Sequence, residues 1–543
     1  MAIQFLLTPS SLRALAGVLG CAVYILYYHR GEHHLYPQRN APVTVSLYFL
    51  FAIALKHTDA ILTTATALSQ AAILLSIYLA AIFTSLTLYR LLLNPLNKFP
   101  GFRLARLTAF AHTIDISKNM DRHMILYNAH KKWGRFVRYG PNDISVSDPD
   151  VVRVALAPGA VCQKAPWYAF EYPGCSLVSV RDREAHGRRR RIWAPAFSDK
   201  ALRGYEVRVE RYNKALLRQI EGLDGWSSFF FPFIQSFNML ESPDGHWAIN
   251  LLKEGQAGGG LSTPAWGARL LFAFPPIARE YFRFQRFCAD QIEKRLKIQG
   301  KQVNSDITHF LIENYLTSTA LPGKSEKEKK AELTRLHFDS KLIVVAGSDT
   351  TASTITFLFY HLAREPGLLE RLREEIRGLT DDGGETEHRK LQAATLLNAC
   401  IFEALRLHPA VPSGLPRKTP PEGVYVGETY VPGDTVMMVN IYAMAHDEDN
   451  FVAADKFIPE RFTTRPDLIK HKDAFIPFST GPAGCIGKNL ALMEMRLMTA
   501  HLVSIYDIAF APGEDGTELL KSQDHFTVAL NPLHLVFTRR EGL

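Results

Sequence analysis

Phe478-Ser479-Thr480-Gly481-Pro482-Ala483-Gly484-Cys485-Ile486-Gly487 sets three glycines and a proline around one cysteine. A helical pattern comes directly after it, with Leu490, Met493 and Leu497 on one face. Glycine lets a backbone come close to a flat cofactor. A loop of this kind turns its N–H groups toward the cysteine sulfur, and the helix N-terminus adds positive potential. Both lower a thiol pKa and favour thiolate. A thiolate opposite a metal donates charge into it, which suits cleavage of an O–O bond. Taken alone, the stretch fits a glycine-rich turn around a buried cysteine equally well. A nucleophilic cysteine is the third option, but no neighbouring histidine offers itself as a base. The other five cysteines, Cys21, Cys162, Cys175, Cys288 and Cys400, are scattered without a CxxC pair. That argues against a disulfide framework or a zinc site in so long a chain.

Upstream, Leu342-Ile343-Val344-Val345-Ala346-Gly347-Ser348-Asp349-Thr350-Thr351 lies inside a long helical pattern reaching about Ala363. Glycine in a helix interior costs roughly 1 kcal/mol against alanine, and helices bend where a side chain or water enters the hydrogen-bond ladder. A groove at Ala346-Gly347 admits dioxygen above a flat cofactor. Thr350 then donates a hydrogen bond to it, and Asp349 relays protons. A plain back-bonded Ser/Thr cluster explains the same residues without chemistry. Glu403 and Arg406 stand three apart on one helix face beside Leu396, Leu397, Cys400 and Leu407. As a surface pair they contribute only about 0.2–0.5 kcal/mol. The run His186-Gly187-Arg188-Arg189-Arg190-Arg191 precedes Trp193, and for Arg188 and Arg189 a solvated basic face is the expectation.

These stretches together resemble the cytochrome P450 family of haem-thiolate monooxygenases. Phe478, Gly481, Cys485 and Gly487 sit at the spacing of its haem-ligand loop, which implies haem b with Cys485 as axial thiolate ligand. Ala346, Gly347, Asp349, Thr350 and Thr351 match its distal-helix motif, which implies that dioxygen chemistry is retained. Glu403-x-x-Arg406, continued by Leu407-His408-Pro409, and Pro459-Glu460-Arg461-Phe462 resemble the segments whose Glu403, Arg406 and Arg461 would form one buried network under the haem. His186 and Arg190, with Arg417 in Leu415-Pro416-Arg417, map onto its propionate ligands. Two departures stand out. Ala483 occupies a position where many members carry an arginine that contacts a propionate. The segment Gly225–Phe237 looks shortened and replaced, by a true loop change or a mis-assembled exon.

The chain's 543 residues include 47% hydrophobic and 21% charged residues, with a formal net charge of +8. That supports a large core and gives no sign of global disorder. With no long basic tract interleaved with aromatics, nucleic acid is not an expected partner. The excess charge suits an anionic membrane or an acidic protein. Ala60–Tyr89 has no charged residue and exceeds the roughly 20 residues a bilayer core needs. Ala14–Tyr28 and Val43–Leu55 are shorter apolar runs, each a further span, a signal-like segment or an interfacial helix. Arg90, Lys98, Arg103 and Arg106 then place the chain beyond Tyr89 on the cytoplasmic side. Asn94-Pro95-Leu96-Asn97-Lys98-Phe99-Pro100-Gly101 cannot continue a helix and reads as a stiff hinge.

The expected architecture is mainly α with small β-sheets, the P450 fold, preceded by one or more transmembrane helices. Residues 1–93 form the anchor region and 94–543 the catalytic domain. The resemblance implies insertion of one oxygen atom from O2 into a small apolar substrate, with secondary-metabolite hydroxylation as one case. Electrons would come from NADPH through NADPH–cytochrome P450 reductase, with cytochrome b5 as a second candidate donor. The expected location is the endoplasmic reticulum membrane, in contact with lipid, with the catalytic domain facing the cytoplasm. A haem-thiolate isomerase or dehydratase, and a catalytically defective haem-binding membrane protein, remain as alternatives.

Overall fold

A computed structural model describes residues 8–58, 61–172, 174–222, 226–229, 247, 264–272, 276, 278–298, 306–379 and 387–540. Three helical segments at the N-terminus are long and apolar enough to cross a membrane: Pro9–Tyr28, Pro37–Thr58 and Thr64–Lys98. The two upstream runs are thus longer than their apolar stretches, because Thr8 caps the first and a polar turn opens the second. The third starts at Thr64 and not at Ala60, because the Thr63 hydroxyl accepts from the Thr66 amide and closes the first turn. The first and third helices pack at Gly20, where a Cβ would stand 2.5 Å from the Tyr78 carbonyl oxygen. Only a residue without a side chain allows that approach. The helix Glu326–Arg364 also has the length and hydropathy of a span, but 61% of its apolar window is buried in protein. It is therefore the central core helix.

The third helix ends at Asn94, whose backbone turns extended. The Asn94 carboxamide accepts from the Leu96 amide at 2.8 Å and donates to Pro141 O and Asn142 Oδ1, each at 3.2 Å. Beyond it, Pro100 and Phe102 pair with both backbone groups of Arg138. A Cβ at Gly101 would lie 2.0 Å from the Arg138 carbonyl oxygen, so the close approach requires glycine.

The remainder is mostly helical with small sheets. A five-stranded sheet runs Phe136–Arg138, Asp143–Val146, Val436–Val439, Leu415–Lys418, Gln163–Lys164 in spatial order. Asp143–Val146 and Val436–Val439 are parallel and the other pairs antiparallel. The main core joins Leu358, Phe359 and Leu362 of the central helix to Leu372 and Ile376, Leu397 and Ile401, and Leu497 and Val503. Each set comes from the apolar stripe of its own amphipathic helix. Of the altered stretch Gly225–Phe237, only the backbone of Trp226–Phe229 lies within the described residues. It pairs antiparallel with the C-terminal strand Leu533–Arg539.

The core also holds histidines. His361 and His408 face each other Nε2 to Nε2 at 3.0 Å, stacked on Phe457 and Phe357 respectively. Burial drives both pKa values down, His361 to about 3 and His408 well below the usual value, and it holds nearby His446 at about 3. All three fold neutral, so the unfolded chain binds more protons below its ordinary histidine pKa of about 6.5. Stability is complete above that pH and falls as pH drops toward the folded values. Each group adds about 1.4 kcal/mol per pH unit to the slope. The thermal midpoint should therefore fall steeply between pH 6.5 and 5, and His446→Asn should make the dependence shallower. An unchanged midpoint across that window would contradict the assignment.

Candidate active site

Cys485 lies three residues before the start of the helix Lys488–Ile505, whose N-terminal amides are free of intrahelical partners. Its own amide donates to the Phe478 carbonyl at 2.8 Å, which closes the loop on itself. Burial pushes the Cys485 thiol up from its ordinary pKa. The amides of Gly487 and Lys488, the Arg190 guanidinium and the Lys488 charge pull it back. The net direction is upward, because crowding by protein outweighs those donors. The glycines have separate reasons. Gly481 sits at φ +68°, and a Cβ there would lie 2.2 Å from the Leu156 carbonyl oxygen. The close approach of that neighbouring helix end requires glycine here. A Cβ at Gly487 would make ordinary contact with Phe197 and the Cys485 sulfur. Phe478 packs against the main core.

In the middle of the central helix, Ala346 and Gly347 are exposed although the later turns are buried. A Cβ at Gly347 would meet nothing within 4 Å. This interruption in an otherwise packed helix marks an open face. The Thr350 hydroxyl donates back to the Ala346 carbonyl at 2.9 Å, and Ser348 Oγ donates to Asp349 Oδ1 at 3.3 Å. Thr351 points elsewhere, to the buried carboxyl of Glu494 on the cysteine helix. Burial raises the Glu494 pKa to about 8, partly offset by the Thr351 hydrogen bond. Glu494 and Thr351 thus couple the two helices that bear the candidate chemistry. Nothing in the sequence near either residue signals that contact.

The cations converge. Arg190 Nη1 donates to the Gly484 carbonyl, beside Cys485, at 2.6 Å. Arg417 is buried and donates to Tyr168 Oη at 3.3 Å. Lys164 stands directly opposite Arg417 in strand register. Like charges so placed repel. Burial, Arg417 and Arg190 together lower Lys164 to about 7. Burial, Lys164, Arg190 and Arg417 likewise lower His186 to about 4. Among the described residues, no carboxylate forms an ion pair with Lys164, Arg190 or Arg417. Sequence reasoning missed Lys164, which becomes visible only through strand pairing. Arg188 pairs with Glu184 at the surface, but Arg189 departs from the solvated face expected of it. It bonds the buried carboxylate of Asp339, which also accepts from Trp193 Nε1 and the Leu177 amide at 3.0 Å each.

Glu403, Arg406 and Arg461 meet in one network with essentially no solvent exposure. Arg406 reaches both Glu403 oxygens at 2.8 Å, and Arg461 Nε reaches Glu403 Oε1 at 3.0 Å. The guanidiniums also donate to the carbonyls of Ala445, Ala453, Ala454 and Lys456. They therefore hold together a chain segment that has little regular structure of its own.

A family model described as Cytochrome P450 matches residues 262–537. The chain is 39% identical to Cytochrome P450 monooxygenase lcsK of Purpureocillium lilacinum, over 98% of this chain and 99% of that one. It is 34% identical to Tryprostatin B 6-hydroxylase of Aspergillus fumigatus, over 98% of each. It is 36% identical to Cytochrome P450 monooxygenase notG' of Aspergillus versicolor, again over 98% of each.

Proposed function

We propose, from the fact that this chain belongs to the cytochrome P450 family, that it hydroxylates a small apolar secondary metabolite with Cys485 as the ligand to haem iron. The observation that carries the reading is a cluster of basic groups, gathered beside the Cys485 loop, with no acid paired to it among the described residues. Haem b brings two carboxylates and an iron that binds thiolate, and these residues fit both. Bound haem supplies activation of dioxygen with two electrons, one oxygen atom entering the substrate and the other leaving as water.

The chain's own residues do the rest. The Cys485 sulfur is the ligand, aimed by the loop that its amide closes on Phe478. Arg190, Arg417 and Lys164 neutralise the propionates, His186 donates a hydrogen bond to one of them as a neutral imidazole, and Lys164 supplies the positive charge that Ala483 does not. Ala346 and Gly347 keep one face of the central helix clear for dioxygen. Thr350 Oγ1 and the Asp349 carboxyl pass protons to that face, the hydroxyl turning from its bond to Ala346. Glu403, Arg406 and Arg461 fix the segment that supports the cysteine loop.

The N-terminal helices anchor residues 94–543 to the endoplasmic reticulum on its cytoplasmic side, the side that the basic residues after Tyr89 favour. Electrons come from NADPH through NADPH–cytochrome P450 reductase, with cytochrome b5 as an auxiliary donor. The Asp349–Thr350 pair supports oxygen chemistry over an isomerase or dehydratase. The test is the carbon monoxide difference spectrum of the reduced full-length protein, followed by NADPH-dependent oxidation with the reductase. A thiolate-type Soret band is expected. Folded protein without that band would overturn the haem-thiolate reading, and turnover without NADPH would favour the isomerase.

A further inference from the structure

We propose that Asp339, on the central helix, is a positioning residue for the haem carboxylates: it touches neither of them, but it holds Arg190 and Lys164 in the places from which they bind the two propionates. The inference rests on the haem-thiolate reading and adds to it a residue that lies one contact behind the haem-binding groups. Asp339 is 1% exposed and sits where three segments meet. Its carboxylate accepts from the Leu177 amide and from Trp193 Nε1 at 3.0 Å each, and Arg189 donates to both of its oxygens. A buried network satisfied in this way rigidifies what it joins.

The first arm runs through the helix Arg183–Trp193. Arg189 and Trp193 stand one turn apart and form one stripe of that helix. His186 and Arg190 form the next stripe, about 100° round the axis. Binding the first stripe to Asp339 fixes the rotation of the helix and so aims the second. Arg190 accordingly reaches the cysteine loop, where it donates to the Gly484 carbonyl at 2.6 Å. The apolar packing agrees. Trp193 and Leu177 share a cluster with Leu336 of the central helix, and Ile486, next to Cys485, packs against it.

The second arm runs through the Leu177 backbone. Its amide is held by Asp339, while its carbonyl and that of Val178 accept from Lys164 Nζ at 3.3 and 2.7 Å. An ammonium has three N–H donors, so one is left for a propionate. The two carbonyls hold Lys164 in place against the repulsion of Arg417 and Arg190. The acid is thus kept at one remove. Paired directly with Arg190 or Lys164, it would compete with the propionates. Paired with Arg189, it orients the cluster and leaves the cluster's charge available to the haem.

The test uses the full-length holoprotein. Resonance Raman spectra read the bending bands of the haem propionates and the iron–sulfur stretch separately, and release of haem to excess apomyoglobin reads its retention. Asp339→Asn should shift the propionate bands and leave the iron–sulfur stretch and the thiolate-type carbon monoxide band in place. It should quicken haem release about tenfold, the scale of a lost outer contact to a cofactor-binding group. Arg188→Gln removes a neighbouring charge whose partner is Glu184 at the surface, and should change none of these. Unchanged propionate bands in Asp339→Asn would overturn the proposal even if release quickens, since that is the mark of a loosened fold alone. Unchanged release, or an equal band shift in Arg188→Gln, would overturn it too. Should Asp339→Asn fail to accumulate, Asp339→Leu with Arg189→Met replaces the buried ion pair by an apolar one, an exchange that folds often tolerate, and the same bands decide. Absence of any thiolate-type band from the wild type would instead remove the haem reading itself, and this inference with it.

Discussion

Cys485→Ser is expected to abolish the thiolate-type carbon monoxide band and NADPH-dependent oxidation completely, while the protein keeps its fold. The loop is closed by the Cys485 amide on Phe478 O and by Arg190 on Gly484 O, and neither bond involves the sulfur. Replacing sulfur by oxygen therefore leaves the backbone trap intact. What changes is acidity and donor strength. A hydroxyl is a far weaker acid than a thiol, and Gly487, Lys488 and Arg190 already fail to bring even the thiol below its ordinary pKa. A full loss of the band beside an unchanged thermal midpoint would identify Cys485 as the ligand. A band that survives in the variant would assign the iron to another residue.

Glu403→Ala should act in the opposite way, through the fold and only then through the haem. One carboxylate serves two buried guanidiniums, and its removal leaves both unpaired. Breaking a buried pair costs about 3–5 kcal/mol, against a total stability of about 5–15 kcal/mol for a typical domain. The variant should accumulate poorly and melt at least several degrees lower, with haem content falling in proportion to folded protein. Arg406 and Arg461 also brace the carbonyls of Ala445, Ala453, Ala454 and Lys456, so the damage should concentrate before the cysteine loop. Hydrogen exchange over 445–485 would show this. Wild-type protection there, with a wild-type midpoint, would mean that the network contributes little.

How much of this was legible in the sequence depended on whether the relevant residues were neighbours along the chain. The cysteine loop and the Ala346–Thr351 turn are contiguous, so their chemistry could be read directly. The helix after Gly487 obeys an equally local rule, apolar periodicity. Lys164 was invisible because only the register that sets it opposite Arg417 gives it meaning. The Thr351–Glu494 contact spans two helices distant in sequence and was hidden for the same reason. Arg189 looked solvated because its partner, Asp339, lies on another helix. The second demand on Gly481 was hidden, since the approaching carbonyl of Leu156 comes from a separate segment. The upstream apolar runs read as short because hydropathy fades where a polar cap or turn residue begins a helix that continues into apolar sequence.

The junction at Asn94 carries a mechanical consequence. A side chain that bonds its own turn and the Pro141–Asn142 turn together, with a glycine pressed against Arg138 just beyond it, is a weld and not a tether. With the anchor also clamped at Glu32, whose carboxylate takes Arg181 and Lys418, rotation of the three helices within the lipid must carry the whole enzyme with it. On the proposed reading, the tilt of the bound haem against the bilayer, and the height at which the protein meets a membrane-bound electron donor, would then be fixed properties of the molecule. The search for such a donor would be reduced from three dimensions to lateral diffusion and spin.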